Sequence, residues 1–348
     1  MLSLRGLTTA SPVVRHLPGR SRYSLGFRPM SSSSIFTESW ITGPQSTQFY
    51  TRTYTPANTP RAAIVFIHGF AEHVGRYTHF HPLLREHDIA VFALDLRGFG
   101  KTALDTEGHK NKDSAYGKTS WAEQMADIAW AVEHVKKTFS EVPIFLMGHS
   151  MGGAQALGFV THAEKNNHSA NVLSLAGVIA TSPLILQTKP APKLLRWVGG
   201  KASTLLPHKL VSADVIPDDL SHDVAVNNAY MKDPLVKHFG SLRGLHDMLS
   251  NGEALLATHY KNWPKSLPLF LAHGTEDKVT SWKASQTFYE KIPALDKRIK
   301  LFEGGFHELQ NEPDGVKEQL VADVIAFIEA HLQVNSKALE PKEQRAKM

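Results

Sequence analysis

The sequence predicts an α/β fold with a mostly parallel central sheet and helices on both of its faces. Short apolar runs alternate with helical patterns from residue 47 onward, and 42% of the 348 residues are apolar, which is enough for a large core. Continuous apolar runs of this kind are typical of parallel strands that are buried on both faces. We predict strands at Ala63–Ile67, Ile89–Leu94, Pro143–Met147, Leu173–Ala180, Leu267–Ala272 and Arg298–Phe302.

Helical patterns lie between these runs. The clearest covers residues 120–138, whose apolar residues recur on one stripe: Trp121, Met125, Ile128, Ala129, Val132 and Val135. Further helices are predicted near residues 76–87, 151–166, 281–291 and 313–333. Ahead of the first run, the alternating stretch T-Q-F-Y-T-R-T-Y-T at 47–55 predicts an antiparallel pair at the edge of the sheet.

The alternation of apolar runs and helical patterns stops between residues 183 and 262. This stretch contains Leu-rich pieces and several Pro and Gly residues, but no convincing strand. We therefore predict a helical insertion at 183–262, which separates two parts of the core at 38–182 and 263–333. No run of 18 or more apolar residues occurs, so the sequence predicts no helix that spans a membrane.

The basic charge is concentrated at the amino end. Residues 1–37 carry five arginines and no acidic residue, which accounts for the whole net charge of +5. The remainder is formally neutral, so we expect no nucleic-acid partner. The Arg- and Ser-rich composition of residues 1–37 favours a mitochondrial transit peptide or a disordered leader, with translation from Met30 as a further interpretation. Residues 334–348 are charged and predict a disordered tail.

The stretch G-H-S-M-G at 148–152 presents a candidate nucleophile, Ser150. It follows an apolar run and precedes a helical pattern, so Ser150 is predicted on a sharp strand-to-helix turn. Gly148 and Gly152 lack a Cβ, which lets the strand and the helix approach closely enough to hold a strained seryl backbone. A purely structural turn is the alternative, because the pattern has only three fixed letters.

Two later strand ends offer partners for a serine nucleophile. Asp277 follows the predicted strand at 267–272, and His307 follows the next one. Active sites of open α/β sheets form at the carboxyl ends of strands, and this position selects His307 from the 19 histidines. Glu276 is the alternative acid. Backbone N–H groups of Phe70, after the strand at 63–67, and of Met151 are the expected oxyanion hole.

Two other patterns are weaker evidence for a binding site. The stretch D-L-R-G-F-G-K-T at 95–102 differs from a nucleotide-binding P-loop at one fixed position, where Asp95 replaces glycine. A carboxylate there would repel phosphate, and no apolar-periodic helix follows, so we expect no nucleotide. The pairs His79 and His81, and His68 and His73, lack further ligands to complete a metal site, so we expect no metal.

Five motifs occur in order along the chain: H-G-F-A-E-H-V-G-R-Y at 68–77, D-L-R-G-F-G at 95–100, G-H-S-M-G-G at 148–153, H-G-T-E-D-K-V at 273–279 and G-G-F-H-E-L at 304–309. This ordered set resembles the monoacylglycerol lipase family of serine α/β-hydrolases. The resemblance covers roughly residues 40–333 and implies the α/β-hydrolase fold, in which residues 183–262 form a helical cap or lid. We call residues 183–262 the cap segment.

The resemblance also implies site residues. These are a catalytic triad with its oxyanion hole, and three contacts to the glycerol end of the substrate: Ser150, Asp277 and His307; Phe70 and Met151; Glu72, Arg76 and Tyr230. An ion pair that only holds the loop is the alternative role for Glu72 and Arg76. Ala71 departs from the family, because many relatives have glycine at this position.

The implied reaction is hydrolysis of monoacylglycerol to a fatty acid and glycerol through an acyl-serine intermediate, with no metal or organic cofactor. A lysophospholipase or a general carboxylesterase is the alternative. More remotely, the chain could be a hydrolase-fold binding protein without catalysis. These alternatives share the fold and differ in the ester that the pocket accepts, or in whether any ester is cleaved.

Basic and apolar residues interleave in the first part of the cap segment: Lys189, Lys193, Arg196 and Lys201 with Leu194, Leu195, Trp197, Leu205 and Leu206. Such a segment can lie on an anionic lipid surface, so the sequence predicts association with a membrane or lipid droplet. Packing of this segment on the core is the alternative. The absence of cysteine favours an intracellular location, in the cytoplasm or at a lipid surface, and the leader adds the mitochondrion.

Overall fold

The computed structural model describes residues 34–162, 167–190 and 192–332. The predicted tail at 334–348 and the predicted leader up to residue 33 lie outside these residues. The strands are Thr37–Thr42 (β1), Gln48–Tyr54 (β2), Ala62–Ile67 (β3), Ile89–Leu94 (β4), Ile144–His149 (β5), Leu175–Thr181 (β6), Leu210–Ser212 (β7), Phe239–Ser241 (β8), Leu269–Gly274 (β9) and Lys297–Phe302 (β10). The α-helices are His81–Arg85 (α1), Gly100–Leu104 (α2), Trp121–Thr138 (α3), Met151–Thr161 (α4), Ser169–Leu173 (α5), Lys193–Leu205 (α6), Val224–Lys232 (α7), Leu242–Ala257 (α8), Trp282–Lys291 (α9) and Val316–Ala330 (α10).

Eight of the strands in the described ranges form one sheet, in the order β1-β2-β4-β3-β5-β6-β9-β10. Strands β4, β3, β5, β6, β9 and β10 are parallel to their neighbours in this order, whereas β1 and β2 form an antiparallel pair at one edge and β2 is also antiparallel to β4. This arrangement confirms the predicted parallel sheet and its antiparallel edge pair. The register pairs Ile67 with Gly148 and Thr181 with Ala272, so the carboxyl ends of the central strands meet at one edge of the sheet.

The two faces of the sheet are covered by different helices. Val65 and Leu146 belong to one core cluster, which includes Ile128 of α3 and residues of α4 and α9. The neighbouring Ile64 belongs to a second cluster, which includes Phe327 of α10. Successive residues of a strand point to opposite faces, so each apolar run fills two cores at once. Helices therefore cover both faces, as predicted.

Two strand predictions were wrong. β10 was expected to be buried on both faces, but Arg298 and Lys300 are exposed because β10 is the last strand of the sheet. Exposed basic side chains on an edge strand discourage pairing with other chains. The cap segment was expected to lack strands, yet it contains the short antiparallel pair of β7 and β8. Three-residue strands are too short to show a two-residue period in sequence.

The loops after β3 and β4 also differ from expectation. The predicted helix at 76–87 is a 3-10 turn at Val74–Tyr77 followed by the short α1, which has Pro82 in its first turn. A short α2 follows Asp95, where no helix was predicted. The buried Asp95 carboxylate accepts hydrogen bonds from the backbone N–H of Val74 (2.7 Å) and Lys101 (2.6 Å). Asp95 thus joins the two loops, and this part of the P-loop-like stretch has a structural role.

The cap segment lies between the parallel neighbours β6 and β9 in the sequence and is mainly helical. α6 packs against α8, and α8 packs against α4 of the core. The domain boundaries at 182 and 262 remain predictions, since the described segment packs directly on the core. No helix within the described ranges is long and apolar enough to cross a membrane.

Candidate active site

Ser150 occupies the turn between β5 and α4 in a conformation that is rare for serine, with φ at 54°. The turn needs two glycines. A Cβ on Gly148 would come within 2.2 Å of the carbonyl oxygen of Gly152, and a Cβ on Gly152 would come within 2.2 Å of that of Ile67. The close crossing of strand and helix therefore holds Ser150 in a strained, nearly buried position.

His307 and Asp277 meet Ser150 at the same edge of the sheet. The ring Nε2 of His307 lies 3.0 Å from Ser150 Oγ, and its Nδ1 lies 2.7 Å from Asp277 Oδ2. Asp277 follows β9 and His307 follows β10, and these neighbouring parallel strands bring both residues to one place. Glu276, the alternative acid, is exposed to solvent, whereas Asp277 is buried.

Asp277 is held as a carboxylate by the groups around it. Its Oδ1 accepts hydrogen bonds from the backbone N–H of Val279 (2.7 Å) and Thr280 (2.8 Å). Its Oδ2 lies 3.1 Å from His273 Nε2 in addition to the contact with His307. Burial opposes ionisation of Asp277, but His307 and the hydrogen bonds hold its pKa far below the usual range. The negative charge therefore persists beside the imidazole.

The Asp277 carboxylate also sets the basicity of His307. Burial lowers the pKa of the imidazole, but the adjacent Asp277 carboxylate outweighs burial and raises it above its ordinary value. Ser182 Oγ donates a hydrogen bond to the backbone carbonyl of His307 (2.7 Å), which fixes the loop that carries the ring. A fixed and basic imidazole at hydrogen-bonding distance from a serine hydroxyl is the geometry of an activated nucleophile.

The loop after β3 passes beside the nucleophile. A Cβ on Gly69 would lie 3.2 Å from Ser150 Cβ, so the next residue, Phe70, is at the site, and Met151 directly follows Ser150. Ala71 has φ at 59°, a left-handed conformation that costs an alanine roughly 1–2 kcal/mol. Glycine at this position would avoid that strain.

A buried cluster of charges lies next to the triad. Arg76 pairs with Glu72 (2.9 Å) and, through two nitrogens, with Glu308 (2.6 and 2.8 Å). Tyr77 donates a hydrogen bond to Glu72, and the Arg76 guanidinium lies over the ring of Tyr230 at 4.8 Å. The structure thus brings the three predicted substrate contacts, Glu72, Arg76 and Tyr230, together within one network.

The cluster places two carboxyl groups, those of Glu72 and Glu308, around one guanidinium. Burial opposes ionisation of Glu308, but its two bonds to Arg76 lower its pKa to about 2. Burial raises the pKa of Glu72, and nearby Glu308 adds to that rise against the pull of Arg76. Glu72, Glu308 and His149 could offer ligand atoms to a metal. The Arg76 guanidinium, however, already pairs with both carboxylates, which leaves little net charge to attract a cation.

Glu308 is the residue that sequence analysis missed. It directly follows His307, is fully buried, and its backbone N–H donates to the carbonyl of Leu220 in the cap segment (2.8 Å). Its partner Arg76 is 232 positions away in the chain. No local pattern reveals such a pair, although an acidic residue between His307 and Leu309 was visible in the motif.

An apolar cavity of about 500 Å³ opens at the triad. One end of it is formed by Ser150, His307, Phe70, Glu72 and Tyr230. Its other walls come largely from the cap segment, and they include Leu184, Leu220, Leu245, Met248 and Leu249. Arg76 is not among the described residues that line the cavity, so it supports Glu72 and Tyr230 from behind. The volume is that of a site for a small molecule.

Comparison with known proteins gives the family. The family model described as "Serine aminopeptidase, S33" matches residues 58–314. The chain belongs to this family of hydrolases. A Schizosaccharomyces pombe protein provisionally assigned as a monoglyceride lipase is 35% identical over 289 residues, which are 81% of this chain and 71% of the relative. Monoglyceride lipase of Rattus norvegicus is 28% identical over 286 residues, which are 82% and 88% of the two chains.

Solved structures agree in fold. A soluble variant of Saccharomyces cerevisiae monoglyceride lipase, in complex with a substrate analog, has a TM-score of 0.73 at 22% identity and covers 88% of this chain and 97% of its own. Paleococcus ferrophilus monoacylglycerol lipase has a TM-score of 0.68 at 24% identity and covers 81% and 99%. These likenesses confirm the α/β-hydrolase fold, and together with the relatives they confirm the resemblance drawn from the five motifs.

Because the Asp277 carboxylate raises the pKa of His307, we expect the His307 ring to stay protonated to a higher pH than an ordinary histidine, whose pKa is about 6.5. In Asp277→Asn the ring should lose its proton at a lower pH than in the wild type, since burial then acts without the opposing charge. Nitrogen NMR of the ring measures both. Glu276→Gln, which changes the exposed neighbouring acid, is the control. Equal titration of His307 in wild type and Asp277→Asn would contradict the assignment.

Proposed function

We propose that this protein hydrolyses monoacylglycerol to a free fatty acid and glycerol through an acyl-serine intermediate. The observation that carries the proposal is the chain of contacts from Asp277 through His307 to Ser150 at one end of an apolar cavity of about 500 Å³. The apolar walls suit an acyl chain, and the polar end suits a small hydroxylated leaving group. The relatives named as monoglyceride lipases support this choice of ester.

The proposed steps follow from the geometry. His307 Nε2 takes the proton of Ser150 Oγ as the oxygen attacks the ester carbonyl, and Asp277 stabilises the imidazolium and keeps its orientation. The backbone N–H groups of Phe70 and Met151 bind the oxyanion of the tetrahedral intermediate. His307 then gives the proton to the leaving glycerol oxygen. Water attacks the acyl-serine with His307 again as base, and the fatty acid leaves.

The polar end of the cavity is where we place the glycerol moiety. Glu72 and Tyr230 line this end, and burial raises the pKa of Tyr230, which keeps its hydroxyl as a donor. Arg76 holds both groups, through its ion pair with Glu72 and its position over the ring of Tyr230. The sequence left two alternative roles for Glu72 and Arg76, an ion pair that holds the loop and a contact to the substrate. In this proposal the ion pair and the substrate contact occur together.

Residues 183–262 are the proposed cap, and the exposed side of α6 is its proposed lipid-binding surface. Trp197 is 62% exposed and Leu205 is 81% exposed, so these two side chains do not pack on the core. The exposed Lys201 lies four residues from each of them on α6, and exposed apolar side chains next to a basic one suit the surface of an anionic membrane or lipid droplet. Arg196 does not contribute, because it pairs with Glu253. The mitochondrial leader stays a prediction.

A fluorophosphonate probe tests the nucleophile. We expect the wild type to be labelled at once and Ser150→Ala to remain unlabelled, because the probe reacts only with a serine that a base activates. Ser250→Ala is the matched control, since Ser250 lines the same cavity and lies 3.4 Å from His246, but that histidine has no carboxylate partner among the described contacts. If the wild type were not labelled, or if Ser150→Ala were labelled equally, the result would indicate a non-catalytic binding protein.

A substrate panel separates the proposed ester from its alternatives. We expect kcat/KM to be at least about tenfold higher for a long-chain monoacylglycerol than for a lysophosphatidylcholine, because Arg76 is already paired with Glu72 and Glu308 and offers no free positive charge to a phosphate, whose burial at this end is then costly. Short-chain esters should also be poorer, by roughly fourfold for each methylene that is not buried. A preference for lysophosphatidylcholine would indicate a lysophospholipase, and a preference for short esters a general carboxylesterase.

Vesicle sedimentation tests the lipid-binding surface. The double variant Trp197→Ser and Leu205→Ser should bind vesicles of phosphatidylcholine and phosphatidylserine at least about tenfold more weakly than the wild type, since two apolar side chains no longer enter the lipid. The control is Leu295→Ser, which removes a side chain that is 83% exposed at the opposite, amino-terminal end of β10. Equal binding by the wild type and the double variant would refute this surface.

A further inference from the structure

A second cavity lies beside the one that opens at the triad. It has a volume of about 240 Å³, roughly half that of the main cavity, and we call it the side cavity. The two cavities share four lining residues: Leu184, Gln187, Arg196 and Leu249. They are therefore separated by little more than one layer of side chains. The side cavity is completed by Ile185, Leu186, Pro190 and Glu253.

The shared wall contains an ion pair. Arg196 of α6 lines both cavities, and its guanidinium bonds to the carboxylate of Glu253 on α8, which lines only the side cavity. The Arg196 side chain is 22% exposed and that of Glu253 is 44% exposed. Five of the eight residues around the side cavity are aliphatic leucine, isoleucine or proline, so the two charges lie in an otherwise apolar setting.

The chemistry of this pair bears on where an alkyl chain can go. Apolar side chains would join α6 and α8 without the cost of removing charges from water. A methylene chain that passed from the main cavity into the side cavity would have to move the Arg196 side chain out of the shared wall and separate its guanidinium from the Glu253 carboxylate, and the alkyl chain would then lie against the charged head of Arg196. The intact pair therefore closes the side cavity to an acyl chain, although its remaining walls suit one.

We propose that Arg196 and Glu253 form a partition that determines acyl-chain specificity, by confining the acyl group to the main cavity. This inference rests on the proposed hydrolysis of monoacylglycerol. Each methylene that enters an apolar cavity increases binding roughly fourfold. For the wild type, kcat/KM should rise with chain length only until the main cavity is filled, and it should then level off or fall.

The test compares chain-length profiles over a series of saturated monoacylglycerols. The double variant Arg196→Ala and Glu253→Ala removes both charges together, so that neither is left unpaired. We expect its optimum to move to longer chains by about two or more carbons. The readout is kcat/KM for a chain longer than the wild-type optimum, divided by kcat/KM at that optimum. This ratio should be roughly tenfold higher in the double variant than in the wild type.

Three further variants separate the partition from general loosening of the cap segment. Adding Leu186→Trp to the double variant refills the side cavity and should restore the wild-type profile. Leu186→Trp alone should leave the profile unchanged, because the side cavity of the wild type is already closed; this variant keeps the test valid if the double variant does not fold. Arg243→Ala removes a different ion pair of α8, with Asp247 at 2.8 Å, and should have no effect on chain length.

The outcomes are distinct. A wild type that cleaves no monoacylglycerol of any length refutes the proposed function. A wild type that cleaves them, with an unchanged profile in the double variant, refutes only the partition. A shift that Leu186→Trp does not reverse, or that Arg243→Ala reproduces, also refutes the partition, because it would come from a looser cap segment. A changed profile in Leu186→Trp alone would show that acyl chains already enter the side cavity.

Discussion

The close crossing of β5 and α4 is the constraint on which the rest of the site depends. It forces Ser150 into its conformation of positive φ, and the turn is then tied to its surroundings through the backbone. Ser150 N–H donates to the carbonyl of Thr181 at the end of β6 (2.9 Å), and Leu184 N–H donates to the carbonyl of Ser150 (2.9 Å). The first residues of the cap segment are thus fixed by the same turn that presents the hydroxyl.

Buried carboxylates near Ser150 have different surroundings, and these surroundings separate their roles. Asp277 is bonded by two backbone N–H groups and faces an imidazole, so its charge is available to stabilise a proton on His307. Glu308 gives its charge to the bidentate pair with Arg76. Glu72 receives the Tyr77 hydroxyl and the remaining contact of Arg76. Glu308 is a second carboxylate next to His307. Because Arg76 neutralises it, Glu308 raises the pKa of the imidazole less than a free carboxylate would.

The sequence predicted those parts of the structure that repeat or that end a strand. Apolar runs located the central strands, and the rule that sites form at carboxyl ends selected His307 and left Asp277 and Glu276 as the candidate acids. The pairing of Arg76 with Glu308 could not be predicted, because it depends on how two loops more than 200 residues apart meet in space. The exposed face of β10 could not be predicted either, since edge position is a property of the whole sheet and not of one run.

The bond from Glu308 N–H to the carbonyl of Leu220 has a mechanical consequence. The neighbouring Ser221 donates its hydroxyl to the carbonyl of Asn311 (2.8 Å), so this part of the cap segment is fastened to the loop that carries His307. A displacement of residues 220–221 would therefore also displace His307 from Ser150. The wall of the cavity at Leu220 therefore keeps its position relative to His307, so a substrate cannot be admitted by opening the cap segment at this wall alone.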